Sequence, residues 1–150
     1  MTSTTTAVAP AASATRQVTA SGFQVSFLPK HRRVHYPVRI ARQGTHEYLH
    51  RIGATGDLVD TALLVVSELF TNAIEHGEGQ PVGLRVMHLA GELHIAVSDG
   101  NPTPAKLQTA GVDDESGRGL LLVSAVSKEW GVSDDGMTTW CVLAPTEENT

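Results

Sequence analysis

Apolar and polar positions along the chain fall into two alternating rhythms. Phe23-Gln24-Val25-Ser26-Phe27 alternates with period two, as does each of the runs built on Val82, Leu84, Val86 and on Leu93, Ile95, Val97; these predict strands. Ala90-Gly91 supplies the turn of a hairpin between the second and third. Between the first strand and that hairpin the rhythm lengthens to that of a helix. Val38, Ala41, Tyr48, Leu49 and Ile52 share one face of a predicted helix that starts at Pro37, and Gly53 and Gly56 break it. Leu58, Ala62, Val65, Val66, Leu69 and Ala73 form the stripe of a second helix, capped by Asp57 and stopped near Gly77 and Gly79. After the hairpin, Gly117-Arg118-Gly119 opens a third helix from Leu120 to about Lys128. A final hairpin pairs Trp130-Gly131-Val132 with Thr138 to Leu143 around Asp134-Asp135-Gly136.

The predicted order is therefore strand, helix, helix, strand, strand, loop, helix, strand, strand. Hairpin-linked strands with helices between them imply an α/β (α+β) two-layer sandwich, a mixed β-sheet with helices on one face. Residues 1–20 are Thr, Ala and Ser without an apolar period and are expected to be a disordered tail. Residues 21–145 form the folded domain, and 146–150 an acidic tail.

Composition narrows the class. One hundred and fifty residues with 41% hydrophobic and 18% charged side chains suit one soluble domain. No run is long and apolar enough to span a membrane, and a secretory leader is not evident, so a cytoplasmic protein without membrane contact is expected. Cys141 alone excludes a disulfide framework within the chain, in keeping with a reducing compartment. The net charge of −5 conceals a basic segment up to residue 53 and an acidic remainder. Lys30, Arg32 and Arg33 make too short a basic run, without accompanying aromatics, to indicate direct nucleic-acid binding.

Three segments carry candidate chemistry. At about 100° per residue Glu68 and Asn72 lie one turn apart at the edge of the second helix's apolar stripe. There they are either hydrogen-bonded within the protein or line a cleft. A hard oxygen at this place suits magnesium, which keeps several of its waters. Asp99-Gly100-Asn101 leaves a strand and offers a carboxylate acceptor for an amino group. Gly117-Arg118-Gly119 offers an anion site: backbone N–H groups at a helix start, a guanidinium, and room for a phosphate. Each is common alone; in series they describe a nucleotide-metal pocket.

Their order resembles the ATP-binding domain of the GHKL, or Bergerat-fold, superfamily. SELFTNAIEHG is similar to its N box, VSDGNP to its first glycine box, GRGLLLV to its second, and GMTTW to its short final box. The likeness runs from about residue 36 to 143 and is greatest to the anti-sigma-factor serine/threonine kinases of bacteria. The resemblance implies a Bergerat ATP-binding fold with ATP and Mg2+ as cofactors. It makes Glu68 the catalytic base and Asn72 the metal ligand, puts Asp99 on the adenine amino group with Thr138 nearby, and has Gly117, Arg118 and Gly119 cradle the phosphates. His76, Asn101 and Leu120 complete the cofactor-binding set, and residues 103–116 become a lid. It implies partners as well: a sigma factor that is sequestered, an anti-anti-sigma factor phosphorylated on serine, and a homodimer.

One departure opens a second reading. The first glycine box usually reads Asp-x-Gly-x-Gly, whereas here Asp99 is followed by Gly100, Asn101, Pro102 and Thr103. Pro102 lacks an N–H and stiffens the loop, so a binding module of the same fold without kinase turnover is the alternative. A third pattern competes from outside the superfamily. His46-Glu47-Tyr48-Leu49-His50 matches the H-E-x-x-H motif of zinc metalloproteases, with Glu68 as a possible third ligand.

Overall fold

The structure is a computed structural model, and it describes residues 5–9, 13–18, 22–28, 35–54, 56–77, 80–99 and 115–144. Strands β1 (Thr5–Ala9), β2 (Ser13–Val18) and β3 (Gly22–Leu28) are followed by helices α1 (His35–Arg51) and α2 (Asp57–His76). Strands β4 (Val82–Leu89) and β5 (Glu92–Ser98), helix α3 (Glu115–Val126), and strands β6 (Glu129–Val132) and β7 (Thr138–Leu143) complete the chain. The strands form one sheet in the order β1-β2-β3-β4-β5-β7-β6.

Every described pair in this sheet is antiparallel, which corrects the mixed sheet expected from the pattern. The reason lies in the connections. Two helices in succession between β3 and β4 return the chain to the end it left, so β4 runs opposite to its neighbour. A single helix separates β5 from β6, and these two do run the same way, but β7 inserts between them and pairs antiparallel with both. The stretch expected as a tail also differs: it holds β1 and β2, which extend the sheet from the edge of β3.

One face of the sheet carries the core. Phe23, Val25 and Phe27 of β3, Val82, Leu84 and Val86 of β4, and Leu93, Ile95 and Val97 of β5 are all buried, and each faces the helices. Against them α2 presents Ala62, Val65, Val66, Leu69, Phe70, Ala73 and Ile74. Phe27 packs edge-on against both Phe70 and Tyr36, with ring centroids 5.9 and 6.4 Å apart, and so ties the sheet to both helices. On α1, Gly44 lets the Phe23 ring lie directly on the helix backbone; a Cβ there would stand 2.1 Å from the ring. Thr45 is the one buried polar side chain among the described residues, and its hydroxyl donates to Ala41 O at 2.8 Å. Arg42 of α1 donates to Ser67 Oγ of α2, and Ser67 donates in turn to Leu63 O at 2.7 Å.

The helix ends follow local chemistry. Gly53 and Gly56, at φ 78° and 63°, take the positive-φ conformations that glycine allows and turn α1 into α2. Gly56 is the N-cap of α2 and makes no side-chain cap, so Asp57 is the first helical residue rather than the cap. Asp57 and Asp60 lie in the first turn, where negative charge suits the helix N-terminus. Helix α3 begins at Glu115, before Gly117, instead of at Leu120 as the pattern suggests.

Candidate nucleotide-binding site

The topology brings the candidate residues to one end of the molecule. Helix α2 ends, β5 ends, α3 begins and β7 begins at the same edge of the two layers. At that edge Gly77, directly after α2, abuts Asp99: a Cβ on Gly77 would lie 3.5 Å from both Asp99 Cβ and Asp99 O. The Asp99 N–H donates to Met137 O at 3.0 Å, which fastens the end of β5 to the approach of β7. Asp99 thus stands where β5 passes behind the C-terminus of α2, with its backbone fixed and its Cβ on the helix side.

Glu68 lies two turns earlier on α2 and is half-buried against α3. Its Oε2 is 2.9 Å from the place a Cβ would occupy on Gly119. Asn72, one turn beyond Glu68, holds an Oδ1 that is shielded from solvent and has no hydrogen-bond partner among the described residues. Buried polar atoms are nearly always paired, and leaving one unpaired costs about 1–3 kcal/mol. A carboxamide oxygen kept dry and unpaired is a hard donor of the kind that fits Mg2+. His76, the last residue of α2, is exposed at the same end.

The other expected residues divide. The backbone of Gly117 falls within the first three residues of α3, whose N–H groups have no intrahelical acceptor and can meet an anion. The Arg118 side chain, Asn101 and most of the expected lid, residues 103–114, lie outside the described residues. Gly119 is the fifth residue of α3, so its N–H is engaged within the helix. Leu120 is 2% exposed and packs in the core.

Thr138 also departs from expectation. It pairs with Ser98, whereas Val97, which faces the helices, pairs with Thr139. Alternation therefore puts Thr139 on the helix side, and Thr138 shares a depression on the opposite face with Gln24, Ser26, Gly83 and Ser98. Two neighbouring threonines at the start of a strand look alike in sequence; only the register separates them.

The protease pattern does not assemble. His46, Glu47 and His50 are exposed on α1, and among the described residues, which include Glu68, no three histidine, cysteine, aspartate or glutamate side chains come together as a metal site. The helical phase leaves all three side chains on the solvent side of α1.

The family model described as a histidine kinase-like ATPase domain matches residues 35–143, from the first residue of α1 to the last of β7. The chain belongs to this family. The histidine kinase-like ATPase domain is of the GHKL superfamily, and with it comes the coarse function, ATP binding of the GHKL type with regulatory use. An uncharacterized protein of Streptomyces coelicolor is 40% identical over 75 residues, covering 47% of this chain and 71% of the relative. The family's α/β two-layer architecture is the one observed, and no helix among the described residues is long and apolar enough to cross a membrane.

Within this histidine kinase-like ATPase domain the expected residues would take separate tasks. Asn72 would hold the magnesium ion, whose contribution is positive charge against the phosphate oxygens. Asp99 would accept from the adenine amino group, and the start of α3 would meet the phosphates with backbone N–H groups. Glu68 lies beside Gly119, one turn before Asn72 on the same helix.

Proposed function

We propose that the protein is an ATP-dependent serine/threonine protein kinase of the anti-sigma-factor kind, acting in the cytoplasm on protein partners. The observation that supports this most directly is the division of labour along one face of α2. Asn72 carries a buried oxygen, unpaired among the described residues and suited to magnesium, while Glu68, a turn away, brings a half-buried carboxylate against Gly119 of α3. A nucleotide-binding domain alone would need the first and not the second. In the reaction Glu68 accepts the proton of a partner's serine hydroxyl as the serine oxygen bonds to the γ-phosphorus of ATP. The bond from that phosphorus to the bridging oxygen breaks, and ADP leaves. Positioning and charge stabilisation supply most of the acceleration. The phosphorylated partner would be the antagonist of a sigma factor that the same domain sequesters, and a homodimer would present two such sites.

Labelled ATP incubated with the protein and a candidate antagonist tests the assignment. Phosphate should appear on a serine and be lost in Glu68→Gln, while calorimetry shows Mg-ATP still bound by that variant. Asn72→Ala and Asp99→Ala should each weaken binding itself; tight magnesium-dependent binding untouched by both would reject the site. The run Asp99-Gly100-Asn101-Pro102-Thr103, poor in the usual glycines, favours a second reading, a binding module of the same fold that sequesters a regulator without turnover. Nucleotide binding without any phosphoserine would decide for that reading.

A further inference from the structure

Gly119 is a mid-helix glycine whose backbone does not call for one. It lies within α3 and is absent from the glycines with positive φ, so alanine could adopt its conformation. A glycine in a helix interior is also unfavourable relative to alanine. Its N–H is spent within the helix, so the usual reason for glycine near a phosphate, backbone approach, does not apply here. What the missing side chain does permit is the approach of Glu68. A Cβ at position 119 would stand 2.9 Å from Glu68 Oε2, closer than such atoms come, but 3.6 Å from Glu68 Cβ and 3.8 Å from Cδ, ordinary contact distances. The stem of Glu68 could stay in place; only the carboxylate tip would have to turn away.

We infer that Gly119 is a positioning residue for the Glu68 carboxylate: by lacking a side chain it seats the base against the second turn of α3. This rests on the kinase reading for its consequence, though not for its geometry. The position of the base relative to the phosphate-binding start of α3 is then set by the helix that also holds the phosphates. A displacement of about 1 Å in a reacting group can cost on the order of 100-fold in rate. Alanine at 119 shifts the tip of Glu68 by a fraction of that while leaving the fold untouched, because the colliding atom is the free end of a flexible side chain.

Gly119→Ala tests this in two ways. By NMR, the wild-type protein should show through-space contacts between the Glu68 γ-protons and the Gly119 α-protons, and Gly119→Ala should move the Glu68 carboxyl carbon resonance without lowering Tm. In serine phosphorylation, Gly119→Ala should lower kcat by roughly tenfold or more. Glu68→Asp, which retracts the carboxylate by one methylene, should cost activity in the wild-type background and restore part of it in the Gly119→Ala background. Missing contacts, an unmoved carboxyl resonance, or losses that simply multiply in the double variant would overturn the inference. A wild-type protein that transfers no phosphate would instead reject the kinase reading, and the NMR measurement would then decide the role of Gly119 by itself.

Discussion

Asn72 shows how a binding residue differs from a structural one. Its Oδ1 is dry and unpaired among the described residues, so the ligand-free fold carries the cost of that oxygen without return. Asparagine is also a poorer helix former than alanine, by up to about 0.7 kcal/mol. Asn72→Ala should therefore leave the ligand-free protein as stable as wild type, or more stable by about 1 kcal/mol, in urea unfolding. The rise in Tm that Mg-ATP gives the wild type should be lost in the same variant. A marked loss of stability in the ligand-free variant would mean that Asn72 is a structural residue after all. Cys141 is the opposite case, a side chain buried in the core. It is 1% exposed between Ile95 and Trp130, and burial pushes its thiol up to about 11. In the folded state the thiol keeps its proton; in the unfolded chain it gives it up near pH 9. Between pH 9 and 11 the unfolded chain thus binds fewer protons, and stability should fall as pH rises, by roughly 2–3 kcal/mol over that window. Cys141→Ala should flatten this part of the stability–pH curve, and at pH 7–8 the native thiol should resist alkylation.

The helices make a pair of tests from one substitution. Gly44 in α1 and Gly119 in α3 are both helical glycines that alanine could replace without backbone strain. At Gly44 the new methyl meets the Phe23 ring at 2.1 Å, and that ring is fully buried and cannot swing aside. Overpacking of this kind costs about 1–3 kcal/mol, more than the gain in helix propensity returns. Gly44→Ala should lower the urea midpoint, and Phe23→Leu in the same chain should recover part of the loss by clearing the space. No recovery would mean that α1 meets β3 differently from the packing described. Neither role was visible in the sequence. Periodicity located α1, α2 and the hairpins of β4 with β5 and β6 with β7 because each element buries a regular face of its own. It started α3 at Leu120 since glycines read as breakers, whereas the helix begins at Glu115 and Gly119 is tolerated inside it. The N box was legible because Glu68 and Asn72 are local to one helix. What lay beyond reading was every relation between elements: the carboxylate on Gly119, Asp99 behind Gly77, and which of Thr138 and Thr139 faces the helices.

At the scale of the molecule, hairpin order decides both the sheet and the site. Because β7 folds back between β5 and β6, the start of β7 is placed beside the end of β5, and the Asp99 N–H is held by Met137 O at that edge. Strands β1 and β2 stand outside this logic. They were unreadable because Thr, Ala and Ser without an apolar period give a strand no face to bury; their order comes from pairing with β3. All described core side chains lie at Phe23 or later, and the family match begins at residue 35. A chain beginning at Ser21 should therefore fold and bind Mg-ATP like the full-length protein. It should not behave identically in solution. Removing β2 turns β3 from an interior strand into an edge, and leaves the backbone groups of Gly22–Leu28 that faced β2 unpaired. Leu28 is already 44% exposed at the end of that strand. An exposed edge of this length is a template for pairing with another chain. The truncated protein should show the same far-UV spectrum and nucleotide affinity, but a concentration-dependent increase in apparent mass by light scattering. A Lys substitution for Ser26, whose side chain lies on the open face beside that edge, should suppress the increase. Loss of the cooperative unfolding transition on truncation would show instead that β1 and β2 contribute to the core, and that the folded unit begins at Thr5.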